Sequence, residues 1–341
     1  MLKSLVRNHG AKWAVLVAIP IVLGWILVAQ WSWRPRTLIG SNKHGWVRSL
    51  DWSPDDERIV LVYSASHGQS FASIWTRNGK LVWSSDKITY SAFFLRDGAV
   101  VMDSRDEATP VVDVNLELHD ARAGRLRKIW GLGREIFPGG DMMVSGDGKM
   151  LVAQDQDSVT SIYDLSRANK NRPLVLHRLA GNQYHGVSTF SFDNRTLATT
   201  INYELPSRQM IFRIQLWDTR TGKLKRIFQS NNQYIDYLAF SPDNQMLAGV
   251  STRGTNLWDS RSGKFLRLLN TDRESIAFSP DGKVLASGGR QRIKLWDVRT
   301  GVLLRELVGH RGAVYALAFS PDGASLISGG DDGIVRKWRI K

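Results

Sequence analysis

The feature that most limits what this chain can become is a marker that keeps returning after a fixed kind of turn. Trp75, His119, Tyr163, Trp217, Trp258, Trp296 and Trp338 follow one another at steps of 44, 44, 54, 41, 38 and 42 residues. In five of them the next residue is Asp: Asp120, Asp164, Asp218, Asp259 and Asp297. Each marker comes after a turn signal, and Ser320-Pro321-Asp322-Gly323 is the fullest example. Pro presets φ, Asp bonds nearby backbone, and Gly tolerates positive φ. Versions stand at Ser53-Pro54-Asp55, Arg96-Asp97-Gly98, Ser145-Gly146-Asp147-Gly148, Ser241-Pro242-Asp243 and Ser279-Pro280-Asp281-Gly282, while Ser191-Phe192-Asp193-Asn194 reads as a degraded copy. A unit this short cannot bury its own apolar face, so the copies must stack on one another.

The last copy, Leu307 to Lys341, is the most complete. Val314, Leu317 and Phe319 alternate towards the turn, a second run covers Ser325 to Ser328, and a third, Ile334 to Ile340, carries Trp338. Three short runs between strong turn signals predict an antiparallel meander. This copy resembles a WD40 repeat, whose period is about 40–45 residues. The resemblance implies an all-β fold: a seven-bladed WD40-type β-propeller over residues 37–341, preceded by a single N-terminal transmembrane helix that is read from the sequence below. It also implies that His310, Ser328, Asp332 and Trp338 form a hydrogen-bonded set inside the last blade. His119 stands where Trp is expected in blade two and reads as a packing substitute. The last copy lacks a fourth strand, and Thr37-Leu38-Ile39-Gly40 can supply it, closing the ring and removing an exposed sheet edge.

Ahead of the repeats, residues 1–12 form a basic tail. Residues 13–31 run from Trp13 to Trp31 without a charge. About 20 apolar residues span a bilayer as helix, and flanking Trp residues suit its interfaces. The segment is expected to be a signal anchor, with 32–36 a short linker. A cleaved secretory signal is the alternative, but Leu27 fits poorly three residues before a cleavage after Ala29. Positive charges nearly balance across the span. A large domain translocates regardless of charge, so the expectation is a cytoplasmic N-terminus and an extracytoplasmic propeller.

Composition narrows the chemistry. No Cys is present, which excludes disulfides, thiol catalysis and Cys-based zinc sites. Nucleotide-binding, zinc-protease and serine-hydrolase fingerprints are absent from the sequence. The reading is therefore non-enzymatic, with no cofactor, metal or small-molecule substrate. Residues 37–341 hold 41 of the 46 basic residues and all 32 acidic ones. That charge is spread out, without the clustered Lys/Arg and exposed aromatics of nucleic-acid readers.

The resemblance implies a platform for a protein or peptide partner. The alternative is an accessory subunit held in a larger membrane complex by its helix. In the WD40 arrangement, loops from strand two to three and from strand four to the next blade share one face, the top. The longest insertions, Ser64 to Phe71, Asp103 to Asp113, Gly131 to Asp141 and Thr200 to Met210, all fall there. Long loops on rigid scaffolds carry function. The candidate partner-binding residues are Trp46, Arg48, Tyr184, Tyr203, Tyr234 and Tyr315. On the opposite face the third-to-fourth turns are basic: Arg77, Lys80, Arg122, Arg125, Arg220, Lys223, Arg261, Lys264 and Arg299. These are expected to face the membrane, and the turn Arg residues to pair with the turn Asp residues beside them.

Overall fold

One hydrogen-bond pattern builds six of the seven blades. Ser53, Ser145, Ser191, Ser241, Ser279 and Ser320 each donate their hydroxyl to the Asp two residues on, at 2.5–2.6 Å. The same hydroxyl accepts the N–H five residues on, from Arg58, Met150, Thr196, Met246, Val284 and Ser325. The Asp accepts a further backbone N–H, such as Ala324 N–H onto Asp322 at 2.8 Å. The turn thus satisfies its own polar groups and starts a ladder between the first and second strands. Blade two keeps only part of this, with Asp97 accepting from Ala99 N–H.

The computed structural model describes residues 35–40, 45–64, 69–105, 114–133, 142–155, 159–169, 172–179, 186–204, 207–231 and 233–340. Residues 37–341 form one compact unit of seven four-stranded antiparallel sheets. Blade one is Val47–Trp52, Arg58–Ser64, Ser70–Thr76 and Leu81–Ser84; blade two is Ala92–Phe94, Val100–Arg105, Val114–His119 and Leu126–Gly133. Blade three is Met143–Val144, Met150–Gln154, Thr160–Asn169 and Arg172–Arg178; blade four is Ser188–Phe190, Thr196–Glu204, Met210–Asp218 and Leu224–Gln229. Blade five is Ile235–Phe240, Met246–Ser251, Gly254–Asp259 and Phe265–Leu269; blade six is Ser275–Phe278, Val284–Gly288, Arg292–Asp297 and Leu303–Val308. Blade seven takes Val314–Phe319, Ser325–Gly330 and Ile334–Arg339 from the end of the chain and Arg36–Gly40 from the beginning. The seam between first and last strands therefore lies inside one sheet.

Inner strands of neighbouring blades touch at six of the seven junctions, including blade seven against blade one, and blades two and three meet through Val101, Leu116, Val144 and Leu151. The described core divides into clusters that each sit between two blades. One joins Ile39, Ile327 and Val335 to Val47, Leu50 and Ile59; another joins Val152 and Ile162 to Leu197 and Trp217. The recurring third-strand Trp is explained by this geometry. A flat ring burying a large area reaches across to the preceding blade, as Trp217 and Trp296 do.

The copy that reads as degraded in the sequence is not degraded in space. Asn194 and Asn244 occupy the left-handed position of their turns, at φ 59°, where Asn is tolerated. Their side chains then add an inter-blade bond that Gly cannot make. Asn194 Oδ1 accepts Gly146 N–H at 3.2 Å, and Asn244 Oδ1 accepts Phe192 N–H at 2.6 Å.

The expected insertion at Thr200 to Met210 is also corrected. Most of it is strand: pairing continues from Thr200↔Ile214 to Glu204↔Met210. Ile201, Tyr203, Ile211 and Phe212 are good strand formers, so the hairpin lengthens instead of looping out. Ser64, Ser70, Asp103 and Gly131 likewise lie within strands. The expected span, residues 13–31, lies outside the described residues, as does Tyr184. Among the described residues no helix is long and apolar enough to cross a membrane.

Candidate functional site

In blade seven the four residues singled out from sequence come together. His310 Nε2 lies 2.7 Å from Ser328 Oγ, which also accepts the Trp338 indole N–H at 2.7 Å. His310 Nδ1 lies 3.0 Å from Asp332 Oδ1. A fifth member was not legible in the pattern: buried Arg336 donates to Asp332 Oδ2 at 2.8 Å. Burial pushes the His310 pKa down, with Arg336 adding to it and outweighing the pull of Asp332. Burial raises Asp332, but Arg311 N–H, His310 and Arg336 outweigh it and hold the carboxyl low. Every member has a partner inside the blade, so this set fixes the blade and is not directed at a ligand.

The other blades keep fragments of that set. Trp296 donates to Ser287, Trp217 to Thr199 and Trp75 to Ser73. In blade two His119 is buried against Trp83, with ring centroids 5.0 Å apart. Its Nε2 lies 2.8 Å from Glu117 Oε2 and its Nδ1 3.0 Å from the Gly124 carbonyl. Glu117 also accepts from Lys87 and Ser104, each at 2.7 Å. Burial opposes its ionisation, yet His119, Lys87 and Ser104 outweigh it and bring its pKa down to about 2. Among the described residues, no group of His, Asp and Glu could hold a metal ion.

The top face carries a different kind of cluster. Trp46, just before the inner strand of blade one, is exposed and meets Tyr315 of blade seven edge-on at 5.8 Å. Arg48 lies 5.8 Å from the Trp46 ring and 5.6 Å from the Tyr90 ring. Arg105, at the end of the second strand of blade two, covers Tyr90 at 4.3 Å. Tyr90 is thus shared by two guanidinium groups. Neither Arg makes an ion pair among the described residues. Arg105 Nε and Nη2 are buried without a hydrogen-bond partner, and so is Asp103 Oδ2. Burial, then Asp331, push the Tyr315 hydroxyl up, so it stays a donor.

Trp46, Arg48 and Tyr315 are therefore brought together, and Tyr90 and Arg105 join them. The latter two were missed because neither belongs to a repeat position. The only local hint was Arg105 inside the Asp103 to Asp113 stretch. Tyr203 and Tyr234 belong to blades four and five. Tyr203 has Arg213 6.0 Å from its ring, and Tyr234 meets Phe212 edge-on.

On the bottom face the basic turn residues divide. Arg77 is ion-paired, 2.9 Å from Asp56 and 3.9 Å from Glu57, so it is not a free cation. Lys80, Arg122, Arg125, Arg220, Lys223, Arg261, Lys264 and Arg299 make no ion pair among the described residues. The expected pairing of turn Arg with turn Asp does not form in blades four to six. Thr221, Ser262 and Thr300 reach Asp218, Asp259 and Asp297 first, through both backbone N–H and hydroxyl. A hydroxyl three residues on closes a tighter ring than a guanidinium can.

Compared with known families, residues 271–297 and 301–339 match the model of the WD domain, G-beta repeat. These stretches cover most of blades six and seven, where the turn and marker chemistry is most regular. Among curated proteins, none matches the chain.

Proposed function

The chain is a WD40-repeat β-propeller, and from that premise we propose that it is a membrane-tethered scaffold which captures a protein or peptide on its top face. Propellers of this family serve as rigid platforms for protein partners, and the top cluster supplies anchor chemistry. Trp, Tyr and Arg dominate binding energy where they can be desolvated. The observation that carries the reading is Tyr90 flanked by Arg48 and Arg105, with two Arg105 donors unmet. An unmet buried donor costs about 1–3 kcal/mol, which a partner's carbonyl or carboxylate would recover. Trp46 and Tyr315 beside it offer an apolar, edge-on pair. The partner we infer is a segment that presents carboxylates next to an apolar or aromatic side chain.

The tether rests on residues 13–31 and their flanking Trp residues. In our reading the short basic tail stays in the cytoplasm and the propeller lies outside it.

Crosslinking tests the site in the full chain, in its own membrane. A photoreactive phenylalanine analogue replacing Tyr315, which is partly exposed and meets Trp46 edge-on at 5.8 Å, should capture one dominant partner. Trp46→Ala combined with Arg105→Ala should reduce that capture at least ~10-fold, the equivalent of about 1.4 kcal/mol. Tyr203→Ala with Tyr234→Ala separates the blade-four and blade-five rim from this cluster. Capture undiminished by Trp46→Ala/Arg105→Ala would refute the proposed site.

A further inference from the structure

The bottom face combines free cations with apolar side chains in an arrangement the top-face reading does not use. In blades one to six the outer strand begins just after a third-to-fourth turn, so its first residues lie at the bottom rim. Six of these strands place an apolar residue there: Leu81, Leu126, Leu174, Leu224, Phe265 and Leu303, each between 40 and 50 % exposed. An outer strand is a sheet edge, where polar residues cost nothing, so repeated exposed Leu and Phe call for a partner. In four blades the preceding residue is a cation, giving Lys80-Leu81, Arg125-Leu126, Lys223-Leu224 and Lys264-Phe265.

Charge bookkeeping on this face favours the cations. Asp120 is paired by Arg127, Asp218 by Lys225 at 3.3 Å, Asp56 by Arg77 and Asp55 by Arg58 at 3.0 Å. Those four acids are thus answered by other residues, and none of the four cations at the rim is ion-paired among the described residues. A second apolar patch lies at the lower mouth of the central channel. Phe192 is half exposed there, beside Pro242, Pro280 and Pro321, around a cavity of about 440 Å³.

We propose that the bottom face docks on the surface of a bilayer rich in anionic lipid, with the Lys and Arg at headgroup level and the Leu and Phe dipping below it. A partner engaged alike by blades one to six must be broad, flat, negative and open to apolar side chains. A lipid interface has all four properties, and basic residues interleaved with Leu and Phe are how proteins lie on one.

Because the chain has no cysteine, single labels test this in the full-length protein. Leu174→Cys on the bottom rim and Arg253→Cys on the top would each carry a fluorophore. The protein would be reconstituted in nanodiscs of phosphatidylcholine, with or without phosphatidylglycerol, containing a headgroup-attached quencher. The Leu174→Cys label should be quenched several-fold more than the Arg253→Cys label in anionic discs, and the excess should disappear at high salt. Lys223→Glu with Lys264→Glu should remove it too, at an unchanged melting temperature. Equal quenching of the two labels, or an excess indifferent to phosphatidylglycerol and to the charge reversal, would overturn the assignment.

Discussion

At Gly249 blade five gives up a hydroxyl to make room for an indole. Leu247 pairs with Trp258 as Leu326 pairs with Trp338, so Gly249 stands where Ser328 stands in blade seven. The Trp258 N–H is left buried without a partner. Restoring Ser would not repair this, because a Cβ at Gly249 would lie 2.8 Å from Trp258 Cζ3 and 3.1 Å from Cη2. Gly249→Ser is expected to lower the urea midpoint, corresponding to about 1–3 kcal/mol of overpacking. A raised midpoint would mean the indole turns and regains its bond. Glu117 gives a prediction of a different kind. Its folded pKa, about 2, is below its ordinary 4.5, so its contribution is complete above about pH 4.5 and is lost as pH falls towards 2. Glu117→Gln should therefore be less stable than the parent at about pH 6, and the gap should narrow by about pH 3. Denaturant midpoints measured along that range decide it; a gap independent of pH would show that the carboxylate's charge is immaterial.

The strand Arg36–Gly40 concentrates the dependence of the fold on one element. It completes blade seven beside Ile334–Arg339 and buries Ile39 among Val47, Leu50, Ile327 and Val335. Ile39→Ala should cost about 2–5 kcal/mol, as for a fully packed core residue, although it sits near one end of a long sequence. A loss below about 1 kcal/mol, read by thermal or urea unfolding, would mean the junction of blades seven and one is loosely packed. Elements of this sort were legible where their chemistry is local. The Ser-x-Asp turns and third-strand Trp residues announce strands within a few positions, and the missing fourth strand follows from counting. The long hairpin of blade four was misread because Ile201, Tyr203, Ile211 and Phe212 flank a Pro and a Ser, which weigh as loop. The Tyr90–Arg105 pairing was out of reach for another reason. Only the docking of blade one's final connection onto blade two brings Arg48 to the same ring, and no spacing in the chain encodes that distance.

Across the whole molecule, the seam inside blade seven has a consequence for how the protein comes to exist. Residues 36–40 leave the ribosome before every other described strand, and their partner, residues 334–339, leaves after all of them. Synthesis proceeds from the N-terminus, and earlier elements can fold meanwhile. The nascent propeller is therefore an open arc with two unmatched edges until its last strand emerges. Sealing it joins the most distant strands of the chain, and the entropy of closing such a loop weighs on the rate. A polypeptide cut short anywhere before Ile334 keeps both edges bare, and bare edges invite pairing with neighbours. Truncation in the final blade should thus be as damaging as truncation in the middle, and a cell's quality control can recognise an unfinished copy by its open seam.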